Sequence, residues 1–411
     1  NKIHMSLNSY ESAMKNLPVP PVPSGKLHNP HFRFREDEIA RIHHCWADGQ
    51  SVLLTGIRRT GKSEVLKAAL YRHALAGHAV EHLDVQDQNS LPRFYQDLLQ
   101  ALVKALPVGA GERLREVLLK LKGVPTGMAN WLRGQISQVS VPDVVDVVLT
   151  PPTDEQLVRY WQPLVEQISE VLAAHDAQTL PVIGIDELPF MLENLMRAGV
   201  SADELVIMLA SLRKLRDAGL RLIIAGSISF ENLLTLRSIP HTVLGGLSRQ
   251  HIPPFTRAEA QSYLAEKLQG QPAGEEEVLQ LILDTLPDHV PEFLRIAHTN
   301  LYPCRHAQAC ETTLRQQVLP AIRRSFLQQF DERLQKNYSP QELETTNAIL
   351  DGIAQADMGG SLLDGKRLPA DYRKVLLKLE YDNFLIEGED FKWCFSLNLI
   401  RQWWRANRGM A

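Results

Sequence analysis

Apolar and polar positions along this chain follow two periods. Strand-length apolar runs occupy residues 51–55, 79–85, 181–186 and 220–227, with a weaker run at 249–253. Between them, apolar residues recur every three or four positions, as at 62–76 and 203–218, which marks helices that bury one face. Strands alternating with helices imply parallel βαβ units in an open α/β sheet. About 90 residues, 88–179, separate the second run from the third, too many for one crossover. Helical periodicity at 91–106, 111–121 and 154–174 makes that stretch a helical insertion.

Upstream, Arg35-Glu36-Asp37-Glu38 opens a helix with Ile39, Ile42, His43 and Trp46 on one face, stopped at Gly49. Four prolines within residues 17–24 preclude helix or central strand, so residues 1–30 read as an extended arm, with 1–4 a tag remnant. Past Pro254 the strand signal fades. Helical stretches at 257–268, 274–286, 291–300 and 306–337, the last broken or kinked at Pro320, make a helical lid over 255–338. Ser339 followed by Glu342 has the spacing of a capping box. Residues 339–411 then read helix (340–355), helix (369–379), strand (383–387), turn at Gly388, strand (391–396), helix (397–406). That order is the winged-helix variant of helix-turn-helix.

Composition narrows the class. A hydrophobic fraction of 44% and a charged fraction of 22% suit a globular chain rather than a disordered one. Lys plus Arg total 44 against 48 Asp plus Glu, so a bulk polycation that coats nucleic acid is excluded, although a local basic face is not. No apolar run approaches membrane-span length, and Cys45, Cys304, Cys310 and Cys394 are too scattered for a disulfide framework. A cytoplasmic protein without membrane contact is expected. Cys304, His306 and Cys310 lie close in sequence, but no second ligand cluster accompanies them to make a zinc site.

The chemistry concentrates at Gly56-Ile57-Arg58-Arg59-Thr60-Gly61-Lys62-Ser63, which fits G-x-x-x-x-G-K-[ST] in full, after a strand and opening a helix with Glu64. Glycines let the backbone curl so that its N–H groups converge on phosphates, and the helix N-terminus adds positive potential. Lys62 is the residue to reach the β- and γ-phosphates, and the Ser63 hydroxyl to ligate Mg²⁺. Pro181-Val182-Ile183-Gly184-Ile185-Asp186-Glu187 is the matching half: a buried strand carries Asp186 to its end for the Mg²⁺ shell, and Glu187 is placed to polarise an attacking water. A catalytic Glu favours hydrolysis over phosphoryl transfer to a small molecule. The absence of an Asn-Lys-x-Asp motif favours ATP over GTP. Ser227, at the end of the 220–227 strand, is a sensor candidate, or a cap for the helix that follows.

With these residues in place, the chain resembles the AAA+/STAND group of P-loop ATPases, and within it the archaeal-type ATPases of the MNS branch. The resemblance runs over residues 31–411. It rests on the P-loop, Asp186-Glu187, the Gly226-Ser227 strand end, the Phe32-Arg33-Phe34-Arg35-Glu36-Asp37-Glu38 opening, and an aromatic, Arg-containing close from Phe395 to Trp404. It implies a P-loop core over 31–254 with strands ordered 5-1-4-3-2, then the lid and the winged helix. It implies Phe34 and Arg35 near the adenine and a transition-state arginine, Arg249 first and Arg237 second, each of which also suits a solvated surface. The group's lid Gly-x-Pro is here His289-Val290-Pro291, so lid contacts by His289 or Arg295 depart from the pattern.

The partner is left open between DNA and protein. The second helix of the winged-helix segment carries Arg373, Lys374 and Lys378 against Asp371, whereas its wing turn, Ile386-Glu387-Gly388-Glu389-Asp390, is acidic and unsuited to phosphates. Trp393, Phe395, Trp403 and Trp404 read mainly as core, and Arg323, Arg324 and Lys336 as a solvated helix face. The expectation is an ATP- and Mg²⁺-dependent ATPase that engages double-stranded DNA, a homo-oligomer or a partner protein. The alternative is a slow nucleotide switch that assembles a protein complex without DNA.

Overall fold

Five short strands form one parallel sheet in the computed structural model, which describes residues 27–29, 32–106, 113–114, 154–176, 179–226, 229–356, 363, 368–388 and 391–410. Helix α1 (Glu36–Ala47) begins with three acids, matching the positive end of its dipole, and leads into β1 (Ser51–Thr55). There follow α2 (Lys62–Leu75), β2 (Val80–Asp84), α3 (Leu91–Ala105) and, beyond the undescribed part of the insertion, α4 (Asp154–Ala173). Then come β3 (Val182–Asp186), α5 (Leu188–Arg197), α6 (Ala202–Asp217), β4 (Arg221–Ala225), α7 (Phe230–Leu236) and β5 (Leu247–His251).

The sheet order is β2-β3-β4-β1-β5, the expected 5-1-4-3-2 viewed from the other edge. Its burial follows from that order. The central strands β3 and β4 are buried throughout, while the edges β2 and β5 are half-exposed and more polar. Strand β3 runs in register between β2 and β4, so that Asp84, Asp186 and Ala225 lie abreast at one end. Gly184 lets α2 close on β3: a Cβ there would lie 2.6 Å from Leu70 and 2.9 Å from Leu66. In the insertion, α3 and α4 pack together through stacked Tyr95 and Trp161 rings 3.9 Å apart, and α4 also packs on α6.

Among the described residues, the part after β5 is mainly helical, with one hairpin: α8 (Arg257–Lys267), α9 (Glu275–Thr285), α10 (Pro291–Leu301), α11 (Ala307–Thr313), a π-helical stretch (Leu314–Val318) and α12 (Leu319–Asn337). Of the break or kink expected at Pro320, the structure shows no break: helical backbone continues past it, with a π-helical stretch immediately before α12. Pro320 instead opens α12, and the wide turn before it accommodates the missing N–H. Phe293, Phe326, Phe330 and Phe384 form a chain of tilted and edge-on contacts at 5.0–5.3 Å through this part. The C-terminal order is α13 (Pro340–Gln355), α14 (Tyr372–Tyr381), β6 (Leu385–Glu387), β7 (Trp393–Phe395) and α15 (Asn398–Asn407), with β6 and β7 antiparallel. Ser339 and Glu342 make the expected capping box on α13.

The chain divides into two compact units. One comprises Asn1–Leu54, Lys62–Gly226 and Ile239–Gln250; the other comprises Thr55–Gly61, Ser227–Ser238 and His251–Ala411. Among the described residues no helix is long and apolar enough to cross a membrane. Several expectations needed correction. β5 begins two residues before the 249–253 run. Helix α5 was not among the expected elements, whereas α7 is the helix expected to follow the 220–227 strand. Of the helix expected at 111–121, only 113–114 are described, and they are helical.

Candidate nucleotide site

Within the second unit, the loop after β1 is held open by its own backbone. Gly56 has φ +127°, and a Cβ there would lie 2.6 Å from the Ile252 carbonyl oxygen, so only glycine fits. Ile252 N donates to Thr55 O at 2.9 Å, and the buried Thr60 hydroxyl donates to Ile57 O at 2.9 Å. Arg59 takes a left-handed φ of +75°, as does Gly61 at +93° with open space where a Cβ would be. Such a curled, glycine-flanked loop is the geometry that presents amides to phosphate oxygens.

The sheet unit carries the residues that follow the loop in sequence. α2 opens at Lys62, which is buried, and Ser63 Oγ donates to Asp186 Oδ1 at 3.0 Å. Asp186 is 3% exposed, and burial pushes its carboxyl up to about 6 against the Ser63 hydrogen bond; the carboxylates of Glu187 and Asp84 add to the rise, and Lys67 opposes it. Two hard oxygens therefore meet at a carboxylate whose charge is disfavoured by burial, a donor pair able to hold part of the shell of a divalent cation such as Mg²⁺. Among the described residues, no group of three or more His, Cys, Asp or Glu is arranged to hold a metal by itself.

Glu187 sits at φ +63° and ψ +29° as the residue that starts α5, a strained conformation for a non-glycine residue. What holds it there was not read from sequence. Pro189, in the first turn of α5, packs on Gly226 at the end of β4, where a Cβ would lie 2.5 Å from its ring. Asp84 and Lys67 were also missed. Only strand register and helix phase bring them near Asp186, so no local motif marks them.

The remaining expected residues fall in varied settings. Phe34 is half-buried with φ +60°, and Arg35 is buried and ion-paired with Glu38 at 3.3 Å. Glu64 accepts a hydrogen bond from Asn29. Arg249 lies exposed on β5, and Arg237 ends α7. Ser227 lies outside the described residues. Arg295 is engaged by Glu292 through bonds of 2.7 and 2.8 Å, and the His289 ring is 3.4 Å from Leu283 O. In the C-terminal segment Lys378 is buried and pairs with Glu342 at 2.9 Å, and Lys374 pairs with the same carboxylate at 3.2 Å. Arg373 is exposed. The acidic turn residues Glu389 and Asp390 lie outside the described residues.

A parallel sheet in this order, with a phosphate loop after its first strand and an acid at the end of its third, defines a P-loop NTPase fold. The solved Walker-type ATPase PABY2304 of Pyrococcus abyssi is similar to this chain at 16% identity and a TM-score of 0.50, over 91% of this chain and 96% of that one. The Aeropyrum pernix ORC2 protein in ADPNP–ADP complexes matches at 14% identity and a TM-score of 0.39, over 96% and 98%. DnaA from Aquifex aeolicus bound to AMPPCP matches at 10% and 0.33, over 80% and 73%. At these identities the first establishes the fold alone, and the other two carry no argument. No protein-family model matches the chain, and no curated protein matches its sequence.

Proposed function

We propose that this chain binds ATP with Mg²⁺ and hydrolyses it, and that its nucleotide state governs engagement of a partner. The observation that carries this reading is the Ser63–Asp186 contact in a chain with a complete phosphate-loop motif: the two expected Mg²⁺ ligands, 123 residues apart in sequence, meet at 3.0 Å. Gly56 to Gly61 present backbone N–H groups, Lys62 neutralises the β- and γ-phosphates, and Glu64 closes the first helical turn. When bound, Mg²⁺ would be held by Ser63 and Asp186 and would supply charge neutralisation for the phosphates. Glu187 accepts a proton from the attacking water, its strained backbone separating it from Asp186. Phe34 and Arg35 flank the adenine, Ser227 senses the γ-phosphate, and Arg249, or Arg237 in its stead, acts from a second copy.

A route from phosphate to the helical part lies within one unit. Arg59 of the loop acts electrostatically on Glu292 at the start of α10, whose carboxyl is held low chiefly by Arg295. Arg58 acts likewise on Arg333 of α12. Charge arriving in the loop therefore alters the field on two helices of the lid.

Two variants test the reading. Lys62→Ala should abolish Mg·ATP binding by calorimetry, and unchanged affinity removes the phosphate-loop assignment. Glu187→Gln should bind ATP but trap it; full turnover in that variant removes Glu187 as the base.

The second reading, a slow switch that assembles a protein complex, is favoured by the pairing of Lys374 and Lys378 with Glu342; of the three cations expected to meet phosphates, Arg373 alone has no carboxylate partner among the described residues, and it donates to the Tyr372 hydroxyl at 3.2 Å. ATPase rates with and without double-stranded DNA, with mass measured in each nucleotide state, separate the two. Stimulation by DNA supports the first, and indifference to DNA with ATP-driven assembly supports the second.

A further inference from the structure

Between α12 and α15 lies a groove of about 700 Å³. From α12 it is lined by Arg323, Arg324, Leu327 and Asp331, and from α15 by Leu399 and Trp403, with glutamines at the rim. These positions follow helical spacing on both elements, so each helix turns one continuous stripe into the groove. Leu327 and Leu399 form a buried apolar floor. Trp403 is half-buried and leans edge-on against Trp404 at 6.0 Å, which is anchored by its indole N–H to Asp351 at 2.8 Å. The one wall–wall bond is Arg323 to the Gln402 side chain at 3.3 Å. Among the described residues neither Arg323 nor Arg324 has a carboxylate within ion-pair distance, and Asp331 has no cationic partner. The groove therefore has an apolar floor, two arginines at one end and an aspartate about 10 Å further along α12.

We propose that this groove docks a short amphipathic helix of a protein partner, with apolar anchors on the Leu327–Leu399–Trp403 floor and an acidic residue at the Arg323–Arg324 end. The charge order commits the occupant. Asp331 would repel a nucleic-acid backbone that the arginines attract, whereas a helix with acid at one end and base at the other matches both. The distance between the charges corresponds to two helical turns, and the floor suits anchors spaced three or four residues apart. A half-buried Trp beside Arg is the residue pair that dominates such interfaces. The proposal does not rest on nucleotide hydrolysis and stands if the phosphate loop proves inert.

The test is selection of a displayed library of 16-residue helical peptides against the full chain. Fluorescence anisotropy then compares the selected consensus peptide, its Glu-to-Lys counterpart and a fluorescent oligo-dT. The expected consensus has apolar residues at i, i+3 or i+4 and an acid at one end. Trp403→Ala should weaken its binding about tenfold or more. The double variant Arg323→Glu/Arg324→Glu, on exposed positions that leave the fold intact, should reverse the preference to the Lys peptide. Failure to enrich any peptide that depends on Trp403, equal binding of both peptides to the charge-reversed variant, or tight oligo-dT binding lost in Trp403→Ala would overturn the proposal.

Discussion

Glu342→Gln tests whether the basic residues of α14 are structural. The Glu342 carboxylate accepts from Ser339 N at 2.9 Å and from the Lys378 and Lys374 ammonium groups. Lys378 also sits 4.5 Å from the centre of the Tyr338 ring. Burial disfavours the charge, yet the Ser339 amide and the two lysines outweigh it and hold the carboxyl down to about 2. Relative to its ordinary value of 4.5, that sets a ceiling of roughly 3 kcal/mol on the stabilisation at neutral pH. Lys374 is 68% exposed, so its share is screened and about 1–2 kcal/mol is the reasonable expectation. Glutamine keeps the capping geometry and removes only the charge. Because the folded value is depressed, the stabilisation is fully present above 4.5 and is lost as pH falls towards 2. Native-state hydrogen exchange of α13 and α14 should speed up about 5- to 30-fold in the variant at pH 7. That difference should shrink by more than half at pH 3. Equal protection in both proteins at pH 7, or a difference that persists undiminished at pH 3, would refute the ion-pair argument.

Two further variants probe the sheet unit. His73, stacked on His78 at 4.1 Å and near His43, Trp46 and Arg221, is pushed down to about 2 by burial, with the charges of His78, His43 and Arg221 adding to it. The unfolded chain therefore takes up the proton first, so stability falls as pH drops below 6.5, by up to about 2 kcal/mol at pH 5 from this group alone. His73→Phe should flatten the melting temperature between pH 8 and pH 5, and an unchanged slope would contradict it. Gly226→Ala should cost about 1–3 kcal/mol, because the new methyl would meet the rigid Pro189 ring, and should lower turnover by displacing Glu187. Wild-type melting together with wild-type kcat would count against the Pro189–Gly226 wedge.

What the sequence made legible follows burial. β1, β3 and β4 read well because their apolar runs are wholly or largely buried. β5 was misplaced by two residues because Leu-Ser-Arg-Gln-His at a sheet edge has almost no apolar signal. α5 went unread because it begins at Leu188, one residue past the end of β3, with Pro189 as its second residue, and only its first-turn position makes that proline tolerable. The phosphate loop was complete in the sequence because every one of its requirements is local. Asp84 and Lys67 were not, since strand register and helix phase bring them to Asp186, and Gly226 was read only as a strand end, without its contact to Pro189. Lys378 misled for the same reason: sequence counts its charge but not Glu342, 36 residues away, beneath which it is buried.

That lesson bears on the partner. The second unit holds many cations, but most are engaged by the fold. Lys374 and Lys378 pair with Glu342, and Arg333 donates to Asp382 O at 2.7 Å. Arg401 and Arg405 tie α15 to carbonyls at the end of α13, and Arg408 clamps Asp351 at 2.7 Å. Each such cation leaves one fewer for phosphates, and withdrawing one that serves a buried acceptor, as Arg333 does, costs more than an exposed phosphate contact returns. Arg323 and Arg324, which have no carboxylate within ion-pair distance among the described residues, flank an apolar floor rather than a basic stripe. Local charge accounting therefore weighs towards a protein partner, and it does so from pairings that net charge conceals.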